Sequence, residues 1–265
     1  MKKRFNRIGI FDSGIGGITV LKEIMDLLPN TEIVYLGDSA RLPYGMKSQK
    51  TIVRYSLQCA RFLLSKDIDM LVVACNTASA HALNELKAGL SMPVVGVIDA
   101  GARAAIDAGG KRIGIVGTPS TIKSRSYDHA LKALDPGIEI FSKACPLFVP
   151  LVEEGWFHDD ITMQVARRYL GALLQFDIDT LVLGCTHYPL LRGIIAMVAG
   201  DTVAIVDSAQ SSARVVSEMY GDVGSVQETV EPVFYLSDLS AHFIELGSIF
   251  LGREMKSVYE VDLCV

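Results

Sequence analysis

The chain has no Cys-x-x-C pair, no low-complexity stretch, and no apolar run approaching the ~18 residues of a membrane span. Its five cysteines, Cys59, Cys75, Cys145, Cys185 and Cys264, are odd in number and widely spaced, so they do not form a disulfide framework. There is little charge of one sign: 25 Lys+Arg stand against 30 Asp+Glu, and Lys2-Lys3-Arg4 is the longest basic block, which leaves no broad field for nucleic acid or anionic lipid. A phosphate-cradling Walker loop is absent. Gly14-x-Gly16-Gly17 is no dinucleotide fingerprint either, because Thr19 stands where the third glycine belongs. Asp12, Lys22 and Glu23 interrupt any secretory apolar core. The expectation is a cytoplasmic protein with reduced thiols and no nucleic-acid or membrane partner.

What is present is a 265-residue chain that is 50% hydrophobic, enough for one large or two modest domains with proper cores. Short β-branched runs at 7–11, 32–36, 70–74, 94–98, 112–116, 180–183 and 203–206 alternate with segments of helical period. Helices are predicted over 48–66, 120–134, 159–176 and 208–220. On the first, Ile52, Tyr55, Cys59, Phe62 and Leu63 share a stripe, which makes Cys59 a core residue. This alternation is the pattern of parallel α/β sheets with crossover helices.

Three peptides recur in the same order at a nearly constant offset of about 105–110 residues. Arg7-Ile8-Gly9-Ile10-Phe11 is echoed by Arg112-Ile113-Gly114-Ile115-Val116. The run from Ile68 to Cys75 is echoed by that from Ile178 to Cys185, and Val97-Ile98-Asp99-Ala100 by Ile205-Val206-Asp207-Ser208. The fold class follows as two similar open parallel-sheet lobes related by internal pseudo-symmetry. With the Ile-Asp echoes as crossover points, one lobe comprises 1–98 plus a returning segment 208–265, and the other 99–207. The C-terminal stretch 254–265 is expected to pack on the first lobe, with Cys264 a bystander.

Ligands of open α/β sheets bind at the carboxyl ends of strands, and each half puts one cysteine there, so two thiols would face a shared cleft. Cys75 precedes Asn76-Thr77-Ala78-Ser79, polar residues suited to start a helix whose N-terminus favours a thiolate. Cys185 lies between Gly184 and Thr186-His187-Tyr188-Pro189 in a matching setting. Two buried small hydrophobes would also account for the cysteines, but not for their matched positions. A zinc site wants three or four ligands, of which Cys185 and His187 supply part. A disulfide needs sulfurs in bonding distance, and a Cys185–His187 hydrolase leaves Cys75 without a role. Two-base proton transfer, with one sulfur on each face of a planar carbanion, uses every piece. His187 is placed to tune Cys185 or act as an acid. Asp12 could serve as base, ammonium anchor or helix cap, and Tyr44 of the turn Pro43-Tyr44-Gly45 could offer a hydroxyl to the cleft. Glu153 and Glu154 read as a solvated helix end, and His81, His129, His158 and His242 as structural.

Together, Asp12-Ser13-Gly14-x-Gly16-Gly17, Pro43-Tyr44-Gly45, Cys75-Asn76-Thr77-Ala78-Ser79 and Gly184-Cys185-Thr186-His187-Tyr188-Pro189-Leu190 resemble the bacterial glutamate racemases, of the cofactor-independent aspartate/glutamate racemase superfamily, over nearly the whole chain. The resemblance implies interconversion of L- and D-glutamate for peptidoglycan synthesis, without pyridoxal phosphate or metal, by a homo-oligomer, expected to be a dimer. It implies that Cys75 takes the α-proton of D-glutamate and Cys185 that of L-glutamate, with Asp12, His187 and Glu153 as auxiliary groups. Asp12, Ser13, Tyr44, Gly45, Asn76, Thr77, Thr118, Thr186 and His187 match the family's substrate-binding positions. An aspartate racemase with the same thiol pair, and a two-lobed amino-acid-binding protein without chemistry, are the competing readings.

Overall fold

A computed structural model describes residues 7–220 and 230–263; Cys264 lies outside them. The first half runs β1 (Arg7–Asp12), α1 (Ile18–Leu27), β2 (Glu32–Gly37), α2 (Gln49–Leu64), β3 (Met70–Val73), α3 (Asn76–Gly89), β4 (Val94–Gly96) and α4 (Val97–Asp107). The second runs β5 (Arg112–Gly117), α5 (Pro119–Ser124), α6 (Ser126–Leu134), β6 (Glu139–Ala144), α7 (Phe148–Glu153), α8 (Asp160–Leu174), β7 (Thr180–Gly184), α9 (Arg192–Ala199) and β8 (Ala204–Asp207). After these come α10 (Ser208–Tyr220), β9 (Val233–Leu236), α11 (Ala241–Leu251) and β10 (Val258–Glu260).

Two parallel sheets form, ordered β10-β9-β2-β1-β3-β4 and β6-β5-β7-β8. The order β2-β1-β3-β4 therefore recurs as β6-β5-β7-β8, and the repeat in the sequence is a repeat in space. It extends to single interactions. Arg7 pairs with Glu32 and its N–H donates to Asp69, while Arg112 pairs with Glu139 and its N–H donates to Asp179. An added Cβ at Gly9 would stand 2.6 Å from Ile68 Cδ1, and one at Gly114 equally 2.6 Å from Ile178 Cδ1.

Helices α4 and α10 are exchanged between the sheets. α4, which follows β4, packs on β7, β8 and α6 of the second lobe, whereas α10, which follows β8, packs on α1 and β4 of the first, and the two helices pack on each other. One buried apolar cluster accordingly runs through both lobes, from Ile8, Ile10 and Ile18 to Leu181, Leu183 and Tyr188. Among the described residues no helix is long and apolar enough to cross a membrane.

Some elements differ from expectation. The run 94–98 ends as a strand at Gly96, because the Val97 N–H donates to Ser79 Oγ at 3.2 Å and opens α4. The segment 120–134 is broken into α5 and α6 at Arg125, whose φ of 55° lies in the left-handed region. Strands β6, β9 and β10 carried no clear signal. β6 is a half-exposed edge strand, and β10 is another edge, of three residues. Helix α2 begins after Ser48, whose hydroxyl accepts from the Thr51 N–H, and Cys59 is fully buried beneath it. Beyond β10, Val261 and Leu263 pack into the first lobe's core.

Equivalent crowding should give equivalent effects. Gly9→Ala and Gly114→Ala should each destabilise the fold by about 1–3 kcal/mol in urea unfolding, since each methyl overpacks the same isoleucine contact. A large loss in one with none in the other would contradict structural equivalence of the halves.

Candidate active site

Both sulfurs sit just past the carboxyl ends of equivalent strands, β3 and β7, and line one pocket between the lobes. From the first lobe the wall comprises Ser13, Gly14, Leu42, Pro43, Tyr44, Gly45, Cys75, Asn76 and Thr77. From the second it comprises Thr118, Val149, Glu153, Cys185, Thr186 and His187. The cavity measures about 30 Å³, room for roughly two water molecules. Missing side chains let the lobes come this close. A Cβ on Gly16 would lie 2.5 Å from His187 Nδ1 and clash with the Thr186 hydroxyl, and one on Gly45 would lie 2.7 Å from Thr118 Cβ.

The settings of the two cysteines differ more than their sequences suggest. Cys75 is itself the N-cap of α3, its sulfur 3.5 Å from the Ala78 N–H and 3.6 Å from Ser13 Oγ. Burial, with the nearby Asp12 carboxylate second, pushes its thiol up to about 12, outweighing the stabilising Ala78 and Ser13 contacts. The helix start does act in the thiolate's favour, as expected, through the Ala78 N–H, but desolvation is the larger effect. Cys185 caps no α-helix, since a 3-10 turn over Tyr188–Leu191 precedes α9, and its sulfur lies 3.9 Å from His187 Nδ1. His187 Nε2 in turn meets Glu153 Oε1 at 3.2 Å. Burial works against the imidazolium, but the bonds to Cys185 and Glu153 together outweigh it and push His187 up to about 10. Glu153, at the end of α7, is a histidine partner as well as a partly solvated helix end.

Asp12 is fully buried behind the pocket rather than on its surface. Its carboxylate accepts from the Gly14 N–H at 2.9 Å and from Thr186 Oγ1 at 3.3 Å, and lies 3.5 Å from Ser13 Oγ. Burial raises its pKa, while His187 and the Gly14 N–H act the other way. It therefore joins the loop after β1, whose Ser13 meets the Cys75 sulfur, to the loop of Cys185. Thr77, Thr118 and Thr121 form a hydroxyl trio across the lobes, with oxygens 2.9–3.1 Å apart.

Tyr44 lines the pocket, but its hydroxyl does not face it. That hydroxyl donates to buried Asp38, whose two oxygens also share the Arg41 Nε–H at 2.8 Å, and which accepts the Ser237 hydroxyl at 2.9 Å. Sequence reasoning missed this support for the 42–46 turn, along with the apolar wall of Leu42 and Val149; Asp38 and Arg41 lie close before the turn, a local signal that could have been used. Of the histidines read as structural, His81 bonds Ser120 at 2.8 Å, and His242 reaches the Glu153 carbonyl at 3.0 Å. Among the described residues no three His, Cys, Asp or Glu side chains converge so as to hold a metal ion.

The family model described as Asp/Glu/Hydantoin racemase matches residues 18–216. The chain is 51% identical over 261 residues to a glutamate racemase of Geobacter metallireducens, covering 97% of this chain and 96% of that one. Among solved structures, a glutamate racemase isoform of Bacillus anthracis superposes with a TM-score of 0.92 at 39% identity, and the Francisella tularensis glutamate racemase in complex with D-glutamate with 0.90 at 35%. Each match covers 98% of both chains.

The Glu153–His187 contact can be tested by titration. Because the folded pKa of His187 is raised, its stabilising contribution is complete below the unfolded value near 6.5 and is lost as pH rises through about 10. In Glu153→Gln, NMR titration of the His187 ring should show its pKa moved toward 6.5, with the alkaline loss of stability beginning at lower pH. An unchanged His187 titration would contradict the pairing.

Proposed function

This chain belongs to the Asp/Glu/hydantoin racemase family and is an amino-acid racemase, and from that premise we propose that it interconverts L- and D-glutamate by proton transfer between Cys75 and Cys185 on opposite faces of the α-carbon. The observation that carries this reading is the pair of sulfurs at equivalent strand ends lining a single pocket. Glutamate is favoured over aspartate because the highly similar full-length relatives bear that name.

An amino-acid α-proton is weakly acidic, so its removal needs a poised base and fixed donors around the carboxylate in a site that excludes water. With L-glutamate bound, Cys185 accepts the α-proton beside the His187–Glu153 pair, and the Cys75 thiol, kept protonated by burial, delivers a proton to the other face. In the reverse direction the roles exchange. Ser13 lies between the Cys75 sulfur and Asp12, and this arm readjusts the charge on Cys75 as the His187 arm does on Cys185. Asn76, Thr77, Thr118 and the N–H groups at the start of α3 hold the carboxylates, aided by the positive end of the helix. No cofactor takes part.

The pocket takes its walls from both lobes, so the lobes part for entry of the amino acid and close to expel water. We take 1–98 with 208–265, and 99–207, as the moving units. The reaction would run in the cytoplasm, where thiols stay reduced, and would supply D-glutamate for peptidoglycan.

Cys75→Ser and Cys185→Ser should each lower racemisation by at least about 10²–10⁴-fold in both directions, followed by circular dichroism of the amino acid, with thermal unfolding little changed. Full turnover in either variant would remove that sulfur from the reaction.

A further inference from the structure

Tyr127, on α6 of the second lobe, is 2% exposed and has no wall of the pocket, yet its hydroxyl crosses the lobe boundary and donates to Asn76 Oδ1 at 2.7 Å. Asn76 is the neighbour of Cys75 and does line the pocket. Room for the tyrosine ring is made by two glycines. A Cβ on Gly184, immediately before Cys185, would stand 3.0 Å from the ring, and one on Gly101 would stand 3.0 Å from the hydroxyl. Packed against the residue preceding one cysteine and bonded to the residue following the other, Tyr127 touches both cysteine turns.

The amide of Asn76 has one acceptor oxygen and two N–H donors. The oxygen takes the Tyr127 hydroxyl, and one N–H goes to Ser208 Oγ at 3.2 Å, leaving the other N–H. Burial pushes the phenol's pKa up, so Tyr127 stays protonated, and a phenol is the stronger donor than acceptor. Were the amide flipped, its oxygen would point where its nitrogen does now and would repel an anionic ligand.

We propose that Tyr127 is a positioning residue that locks the Asn76 amide so that a donor, and not an acceptor, faces the substrate carboxylate. The inference rests on the racemase reading above, and it assigns a specific task to a residue outside the pocket.

The test is Tyr127→Phe in the full chain, which keeps the ring between its glycines and removes only the hydroxyl. The expected result is a ten- to hundredfold fall in kcat/KM for both glutamate enantiomers, chiefly through KM, the size expected for a hydrogen bond to a charged group. In an Asn76→Ala background the same substitution should add nothing. A merely structural role would move thermal stability and would add its full loss in that background. Unchanged KM in Tyr127→Phe, or full additivity with Asn76→Ala, overturns the inference. A wild-type protein that does not racemise glutamate would instead overturn the functional reading beneath it.

Discussion

The structure depends on how closely the loop after β1 approaches the loop after β7. At Gly16 the backbone of one lobe lies against Thr186 and His187 of the other with no space for even one carbon, and at Gly45 the same holds against Thr118. The two-base reaction proposed above would need this closeness, because its bases come from opposite sides and the site between them must be dry. The exchanged helices α4 and α10 and the apolar cluster common to both lobes provide the foundation for that approach. Interiors packed this tightly respond to a single added methyl group, so the glycines act as a steric specification of the cleft width.

Symmetry of fold is not carried through to symmetry of chemistry. Strand order, register, the Arg–Glu edge pairs and the crowded glycines repeat, but the cysteines have different partners. Cys75 caps a helix and neighbours a buried carboxylate, and burial keeps it a thiol. Cys185 faces a histidine held by Glu153 and raised to about 10, so it has a cationic donor close by. In the proposed reaction one sulfur thus waits with a proton while the other sits beside a proton-bearing ring. A racemase has to work in both directions on chemically similar enantiomers, and two unlike arms joined through Asp12 and Thr186 can do so provided each can return its proton.

Much of this was legible in the sequence because it is written in short, repeated, strongly patterned peptides. The central strands are apolar runs buried on both faces, and the doubled Ile-Asp-x-Leu-Val segments place both cysteines at strand ends. The edges were harder: β6 is half exposed and β10 has three residues, so neither makes the continuous apolar run that marks a central strand. Single side-chain directions were not legible at all. Asp38 and Arg41 hint at a partner for the Tyr44 hydroxyl without stating its direction, and nothing local states that Tyr127, more than fifty residues from Asn76, reaches its amide. Nor could spacing show that desolvation at Cys75 would outweigh a helix N-terminus, since that balance depends on how deeply two lobes bury one sulfur.

The central claim is that a protein-borne acid and base exchange the α-hydrogen of glutamate, and proton NMR in D2O tests it directly. Purified protein incubated separately with L-glutamate and L-aspartate should erase the α-proton signal of glutamate while chiral analysis finds D-glutamate accumulating, with aspartate left intact. Exchange of aspartate alone would transfer the account to a different substrate, and folded protein that exchanges neither amino acid would contradict it.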